Sequence, residues 1–206
     1  MSHYHFREGK GRDIKAPVLF LFHGTGGDEN QFFDLGVQLM AGARVIAVRG
    51  DVSEQGALRY FKRTGEGVYD MADLATRTQA LSAFVRERLT EGEASAVVGL
   101  GYSNGANILA AMQFENPDLF GASVLMHPLI PFAPKPQPGL AGREVLITAG
   151  RQDQICPAEA TERLGDYFRV QGSQTEIYYH AGGHEIVATE IGRIQQFLSH
   201  YSVLTA

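Results

Sequence analysis

Short, largely apolar runs alternate along this chain with longer stretches whose apolar residues recur every three or four positions. The runs at residues 17–22, 44–48, 122–126, 144–149 and 175–179, with one opening at Val97, predict β-strands. The 17–22 run is apolar throughout, as expected of a strand covered on both faces. Residues 3–6 predict a further strand, joined to 17–22 through the turn Glu8-Gly9-Lys10-Gly11. Helical spacing places Phe32, Phe33, Leu35 and Leu39 on one helix and Leu74, Thr78, Leu81, Val85 and Leu89 on a long amphipathic one. Further helices are expected over residues 106–114, 157–170 and 185–200, the last with Val187, Ile191, Ile194 and Leu198 on one face. Strands alternating with helices imply right-handed crossovers and a doubly wound, mostly parallel sheet flanked by helices, an α/β fold.

One stretch departs from simple alternation. After Val97-Val98, the sequence Gly99-Leu100-Gly101-Tyr102-Ser103-Asn104-Gly105-Ala106 runs from an apolar strand into an Ala-rich helix. Gly-x-Ser-x-Gly in a strand–turn–helix setting is the pattern of a nucleophile elbow. On so sharp a turn a side chain at Gly101 or Gly105 would collide with its surroundings, and the Ser103 hydroxyl is pushed into the open beside the first amides of the helix. A dinucleotide loop is the competing reading of Gly99-x-Gly101. The third glycine comes one place late, at Gly105, which speaks against it.

Composition narrows the classes. The 206 residues are 44% hydrophobic, enough for one domain over residues 1–206 with a sizeable core. A net charge of −5 with acids and bases interspersed argues against a nucleic-acid or anionic-membrane surface. The short basic cluster 59–63 reads as a loop. A single cysteine, Cys156, excludes an internal disulfide and suits a reducing compartment, and with no signal-like or membrane-spanning run the expectation is a cytoplasmic protein. The proline-rich stretch 128–138 cannot be regular structure and is too short to form a large cap. Between residues 49 and 69 lies a polar excursion holding Arg59, Tyr60, Phe61 and Tyr69.

A serine hydroxyl needs a general base, and the base an orienting group. After an elbow these should follow in the order acid, then histidine, just past the carboxyl ends of later strands. Asp153 follows the penultimate strand and His184 follows the last, in Gly182-Gly183-His184. His3, His5 and His23 precede the serine; His127 closes the wrong strand and is expected near the site mouth, where it could contact substrate; His180 ends a strand, as the main competitor of His184; His200 falls on the last helix. Asp166, the other acid in the region, lies mid-helix. The turn His23-Gly24-Thr25-Gly26-Gly27 is placed to supply one backbone donor for an oxyanion, from Thr25, and the residue after the nucleophile supplies the second, from Asn104. No Gly-Lys-Ser/Thr follows that turn, which removes a phosphate-loop role. Cys156 lacks an elbow and is expected to pack beside Asp153. His3-x-His5 is a weak metal candidate on a solvated terminus. Tyr60, Phe61, Phe132 and Tyr102 divide evenly between a substrate pocket and the core.

These motifs resemble the α/β-hydrolase superfamily and, more narrowly, the small phospholipase/carboxylesterase family with its acyl-protein-thioesterase-like and dienelactone-hydrolase-like members. The resemblance runs from Phe20-Leu21-Phe22-His23-Gly24 through the elbow to Gly150-Arg151-Gln152-Asp153 and Gly182-Gly183-His184-Glu185. It implies catalytic Ser103, Asp153 and His184 with an oxyanion hole at the Thr25 and Asn104 amides. It also implies a serine carboxylesterase acting on small esters through an acyl-enzyme, without cofactor or metal. Thr25 and Asn104 depart from the leucine and glutamine usual in the thioesterases. A thioesterase or lysophospholipase, with an acyl groove under residues 128–138, is the second enzyme expectation, and a slow ligand-binding scaffold the third. The expected partner is a small-molecule ester, with no nucleic acid or membrane; a homodimer is left open.

Overall fold

The computed structural model describes residues 4–202. Its first elements are β1 (Phe6–Gly9), β2 (Val18–Phe22), α1 (Phe33–Leu39) and β3 (Arg44–Val48). Four short strands follow, β4 (Val52–Glu54), β5 (Ala57–Arg59), β6 (Arg63–Gly65) and β7 (Val68–Tyr69), and then α2 (Met71–Leu89). The second half comprises β8 (Val97–Tyr102), α3 (Asn104–Glu115), β9 (Ala122–Met126), β10 (Glu144–Gly150), α4 (Ala158–Val170), β11 (Gln174–His180) and α5 (Ala188–Leu198). Seven strands form one sheet in the order β1-β3-β2-β8-β9-β10-β11. All neighbours pair in parallel except β1, which runs antiparallel to β3 with Phe6 opposite Val48 and Gly9 opposite Val45.

The inner strands are buried on both faces, which explains their unbroken apolar sequences. In β2, Phe20 and Phe22 join a core with Leu81 and Phe84 of α2, Ile108 and Met112 of α3, and Leu164 and Phe168 of α4. Leu19 and Leu21 face the other way, onto Phe33 and Leu39 of α1 and Ile194 and Leu198 of α5. This is a doubly wound, mostly parallel α/β sheet flanked by helices, with no large cap among the described residues. No helix among the described residues is long and apolar enough to cross a membrane.

The chain leaves β2 toward β3 and one edge, and leaves β8 toward β9 and the other. Where the direction of winding reverses, the loops beyond two adjacent strands diverge and open a crevice. Residues 23–27 after β2 and Ser103 after β8 meet across that crevice.

Several boundaries differ from expectation. The first strand is displaced to Phe6–Gly9, so Glu8 and Gly9 pair with β3 instead of turning; His3 lies outside the described residues. An edge strand takes its register from its partner's free backbone groups, which local sequence does not encode. The last helix begins at Ala188, and a 3-10 turn, Ser199–Tyr201, holds His200. Residues 185–187 are needed as loop to deliver His184. The polar excursion is not featureless, since β4–β5 and β6–β7 are two small antiparallel hairpins. The 128–138 stretch is irregular, ending in a 3-10 turn at Pro138–Leu140.

Candidate active site

Ser103 sits between β8 and α3 at φ 51° and ψ −112°, a backbone conformation that side chains rarely adopt. It is held there by its neighbours. A Cβ on Gly101 would stand 2.4 Å from the Gly105 carbonyl oxygen, and one on Gly105 would stand 2.1 Å from that of Phe22. The Ser103 amide donates to the Met126 carbonyl at 2.8 Å, and the Asn107 amide donates to the Ser103 carbonyl at 2.9 Å. With the backbone fixed at both ends, the hydroxyl projects into the crevice.

Two later loops bring the remaining groups. Backbone bonds stitch the turn after β10 to the loop after β11: Arg151 N–H donates to His180 O and Gln152 N–H to Gly182 O, each at 2.9 Å. The contact is so close that a Cβ on Gly150 would lie 2.0 Å from the Gly183 oxygen. Asp153 Oδ1 accepts the amides of Ile155 and Cys156, both at 2.9 Å, which aims Oδ2 at the histidine loop. His184 then links the two sides, with Nδ1 2.7 Å from Asp153 Oδ2 and Nε2 3.0 Å from Ser103 Oγ. A carboxylate on Nδ1 places the proton there and leaves Nε2 as an acceptor facing the hydroxyl. Burial pushes the Asp153 carboxyl up, but the Cys156 amide and the rings of His127 and His184 outweigh it and hold the group below its ordinary range. Asp153 is therefore ionised at neutral pH.

Tyr102 braces this loop. Its hydroxyl donates to the His184 carbonyl at 2.7 Å and its ring lies 5.4 Å from the imidazole. Burial pushes the phenol up to about 12, so it remains a neutral donor.

The turn after β2 is anchored by buried side chains. His23 Nδ1 contacts Gly24 O at 2.7 Å and Nε2 accepts the Gly50 amide at 2.9 Å, which fixes the tautomer with the proton on Nδ1. Burial lowers the His23 pKa and keeps the ring neutral. Tyr60 OH accepts the His23 amide at 3.0 Å and donates to Val48 O at 2.6 Å, while Gln31 Oε1 accepts the Gly24 amide at 2.8 Å. Gly26 and Gly27 amides are engaged by carbonyls. The amides of Thr25 and Asn104 are engaged by no other group among the described residues, and both residues border the cleft beside Ser103. The cleft, about 480 Å³, is also lined by Arg59, Tyr69, Leu129 and His184. Arg59 is buried; it donates to Thr25 Oγ1 at 2.9 Å and pairs with Glu54 at 3.3 Å.

Beneath Asp153 lies a group of buried titratable side chains. His127, after β9, is wholly buried, with Nδ1 3.0 Å from Asp153 Oδ2 and Nε2 3.2 Å from Glu190 Oε1. His180 Nε2 lies 3.4 Å from His127 Nε2. His127, His180 and Glu190 have the spacing of metal ligands, as do His127, Asp153 and His184. Their lone pairs are engaged by each other and by protein donors, however: His180 Nδ1 accepts the Gly182 amide at 3.1 Å, which puts its proton on the Nε2 that a metal would need.

The expectations fare unevenly. Ser103, Asp153 and His184 come together, with Thr25 and Asn104 beside them. His127 is not at the mouth and does not face substrate; its left-handed backbone (φ 49°) turns the ring under Asp153 instead. Cys156 packs beside Asp153, its thiol 3.2 Å from His127 O and pushed up in pKa by burial. Tyr60 and Phe61 are core, Tyr102 lines the cleft, and Phe132 borders a separate hollow under the proline-rich stretch that Ser103 does not line. Arg59 is more than loop filling. Gln31 and the bracing role of Tyr102 carry no sequence signal; Glu190, three residues past the N-cap Val187, has only that of a capping position.

A strained serine between strand and helix at the switch point of a parallel sheet, with a histidine and an aspartate from two later strand ends, defines an α/β-hydrolase. Residues 7–190 match the model of the Dienelactone hydrolase family, and the chain belongs to that family. It is 38% identical over 182 residues, 87% of this chain and 91% of the other, to MhqD of Bacillus subtilis (strain 168), a protein named a hydrolase by inference. Among solved structures it resembles the protein Atu2452 of Agrobacterium tumefaciens strain C58, with TM-score 0.91, 48% identity and 97% of each chain covered. It also resembles the Bacillus cereus carboxylesterase, with TM-score 0.91, 33% identity, and 97% of this chain and 95% of the other covered. The protein is thus a hydrolase of the dienelactone hydrolase and carboxylesterase type.

Proposed function

We propose that this hydrolase is a serine carboxylesterase acting on small esters through an acyl-enzyme. The observation that carries the reading is the unbroken chain from Ser103 Oγ through His184 to Asp153, at 3.0 and 2.7 Å, beside two unengaged amides. His184 Nε2 takes the hydroxyl proton as Oγ attacks the ester carbonyl carbon. The charge on the carbonyl oxygen is met by the Thr25 and Asn104 amides, each such donor being worth on the order of 10²–10³ in turnover. His184 returns its proton to the departing alcohol, and water, activated the same way, releases the acid. Asp153 stays ionised, holds the tautomer and stabilises the imidazolium.

The open cleft of about 480 Å³ suits a compact substrate. A long-chain thioesterase or lysophospholipase would want the hollow under residues 128–138 joined to Ser103, and the two are lined by different residues. We further assign the chain to the cytoplasm as a single-domain enzyme without a cofactor, on its lone cysteine and interspersed charge.

The test is hydrolysis of p-nitrophenyl esters of increasing acyl length by the protein and by Ser103→Ala. A short-chain optimum and a loss on the order of 10⁶ in turnover are expected. Equal background rates would reject an enzyme and leave a ligand-binding scaffold, recognisable by saturable small-molecule binding.

A further inference from the structure

Thr25 brings two hydrogens to the cleft, one on its amide and one on its side-chain oxygen. Arg59 Nη1 donates to Thr25 Oγ1 at 2.9 Å. A guanidinium only donates, so this bond occupies an acceptor lone pair of the hydroxyl and turns its hydrogen away from Arg59. Among the described residues no group accepts that hydrogen. Thr25 is exposed and lines the cleft beside Ser103 and Asn104, which gives the hydrogen the cleft to point into.

The two partners are fixed from both sides. Gly26 N–H donates to Leu58 O at 2.9 Å, which stitches the turn after β2 to β5. A Cβ on Gly50 would stand 2.4 Å from the Arg59 carbonyl oxygen, so the end of β5 lies hard against the chain leaving β3. The Arg59 side chain is only 6% exposed, and water screens a charge so buried weakly. Its Nε donates to Phe61 O at 3.4 Å and lies 3.3 Å from Glu54 Oε2. Glu54 also accepts Arg63 Nε on both oxygens, at 2.9 and 3.0 Å. One carboxylate thus serves two guanidinium groups, and the Nη1 edge of Arg59 presents its charge to Thr25.

We propose that the Thr25 hydroxyl is a third donor to the oxyanion, and that Arg59 is the positioning residue that turns its hydrogen into the cleft. The proposal rests on the esterase reading, since it needs an oxyanion at the Thr25 and Asn104 amides. As Ser103 Oγ bonds to the carbonyl carbon, its proton passes to His184 and the carbonyl π pair moves onto oxygen. The Thr25 hydroxyl gives that oxygen a hydrogen bond and keeps its own proton. A donor set before the charge appears costs no reorganisation when it does. The cation behind it makes it a stronger donor, because a hydroxyl that accepts from a guanidinium is polarised toward donating. Arg59 acts through Thr25 and has no need to touch the substrate.

Kinetics on a short-chain p-nitrophenyl ester test this, with butylboronic acid as the probe of the tetrahedral state. Thr25→Val keeps the shape and the backbone amide and loses the hydroxyl. It is expected to lower kcat on the order of 10²-fold at constant KM, and to weaken butylboronic acid by a like factor. Thr25→Ser, which keeps the hydroxyl, should restore most of both. Arg59→Met should lower kcat less, and should cost nothing further when added to Thr25→Val. A kcat or boronate affinity that Thr25→Val leaves unchanged, a rise in KM alone, or losses that add in the double variant overturn the proposal. Should Arg59→Met fail to fold, Arg59→Gln, neutral and shorter, takes its place under the same requirements. If the parent protein and Ser103→Ala turn over ester alike, the esterase reading falls and this proposal with it. If turnover depends on Ser103 and Thr25→Val keeps it, this proposal falls alone.

Discussion

Asn104 Oδ1 accepts the backbone amide of Tyr60 at 2.8 Å, so the residue that follows Ser103 is fastened to the segment forming the opposite wall of the cleft. Both groups are buried. In Asn104→Ala the Tyr60 amide loses its acceptor, and an unpaired buried donor costs about 1–3 kcal/mol. Urea denaturation should show a loss of that size, and ester turnover should fall because the Asn104 amide is less firmly aimed.

The Tyr102 hydroxyl supports the His184 carbonyl at 2.7 Å. Tyr102→Phe removes that bond and little volume. A stability loss of about 1 kcal/mol is expected, with kcat lowered more than KM raised, since the histidine loop is loosened and the cleft walls are kept. A rise in KM at constant kcat would assign Tyr102 to substrate contact instead.

Stability should depend on pH at both ends. Asp153 and Glu190 lie below the ordinary carboxylate range: burial raises each, and the hydrogen bonds they accept outweigh it. Their contribution is present above the unfolded carboxylate value and is lost as pH falls through the lower, folded values. His127 is raised, so its contribution is complete below the unfolded histidine value and is lost as pH rises through its folded one. Urea midpoints across pH should therefore form a plateau that falls away on both sides. In Glu190→Gln the alkaline fall should flatten, from a lower plateau.

Cys156 is buried and its thiol is pushed up by desolvation and by Asp153. The thiolate is the reactive form. A colorimetric thiol reagent should therefore find no cysteine in the folded protein and one per chain in denaturant. Fast titration of the folded protein would mean that the β10 turn opens readily.

Much of this site was legible because each of its principal residues follows directly from an apolar strand. Ser103 is announced by glycines whose absent side chains the fold requires, and Asp153 and His184 by their places beyond the last two strand ends. Chain order alone misplaced His127, because the left-handed backbone that turns its ring inward has no mark in the residues around it. Glu190 was invisible for a related reason. An acid on the first turn of a helix ordinarily complements the helix dipole in water, and only the seating of α5 against Thr148 of β10 buries it. The short strands β4 to β7 are two or three residues long, too few for periodicity to register. In β1 the pairing partner, β3, decided the position.

The excursion of residues 49–70 leaves the sheet after β3 and rejoins it through α2, and in between supplies Arg59, Tyr69 and their neighbours to the cleft. None of its four strands pairs with the central sheet. Ser103, Asp153 and His184 are held elsewhere, after β8, β10 and β11. Substitutions within this one short segment would therefore reshape one wall of the cleft while leaving the contacts from Ser103 through His184 to Asp153 in place. Tyr60 marks the limit of that freedom, because its hydroxyl and its amide anchor both sides of the crevice.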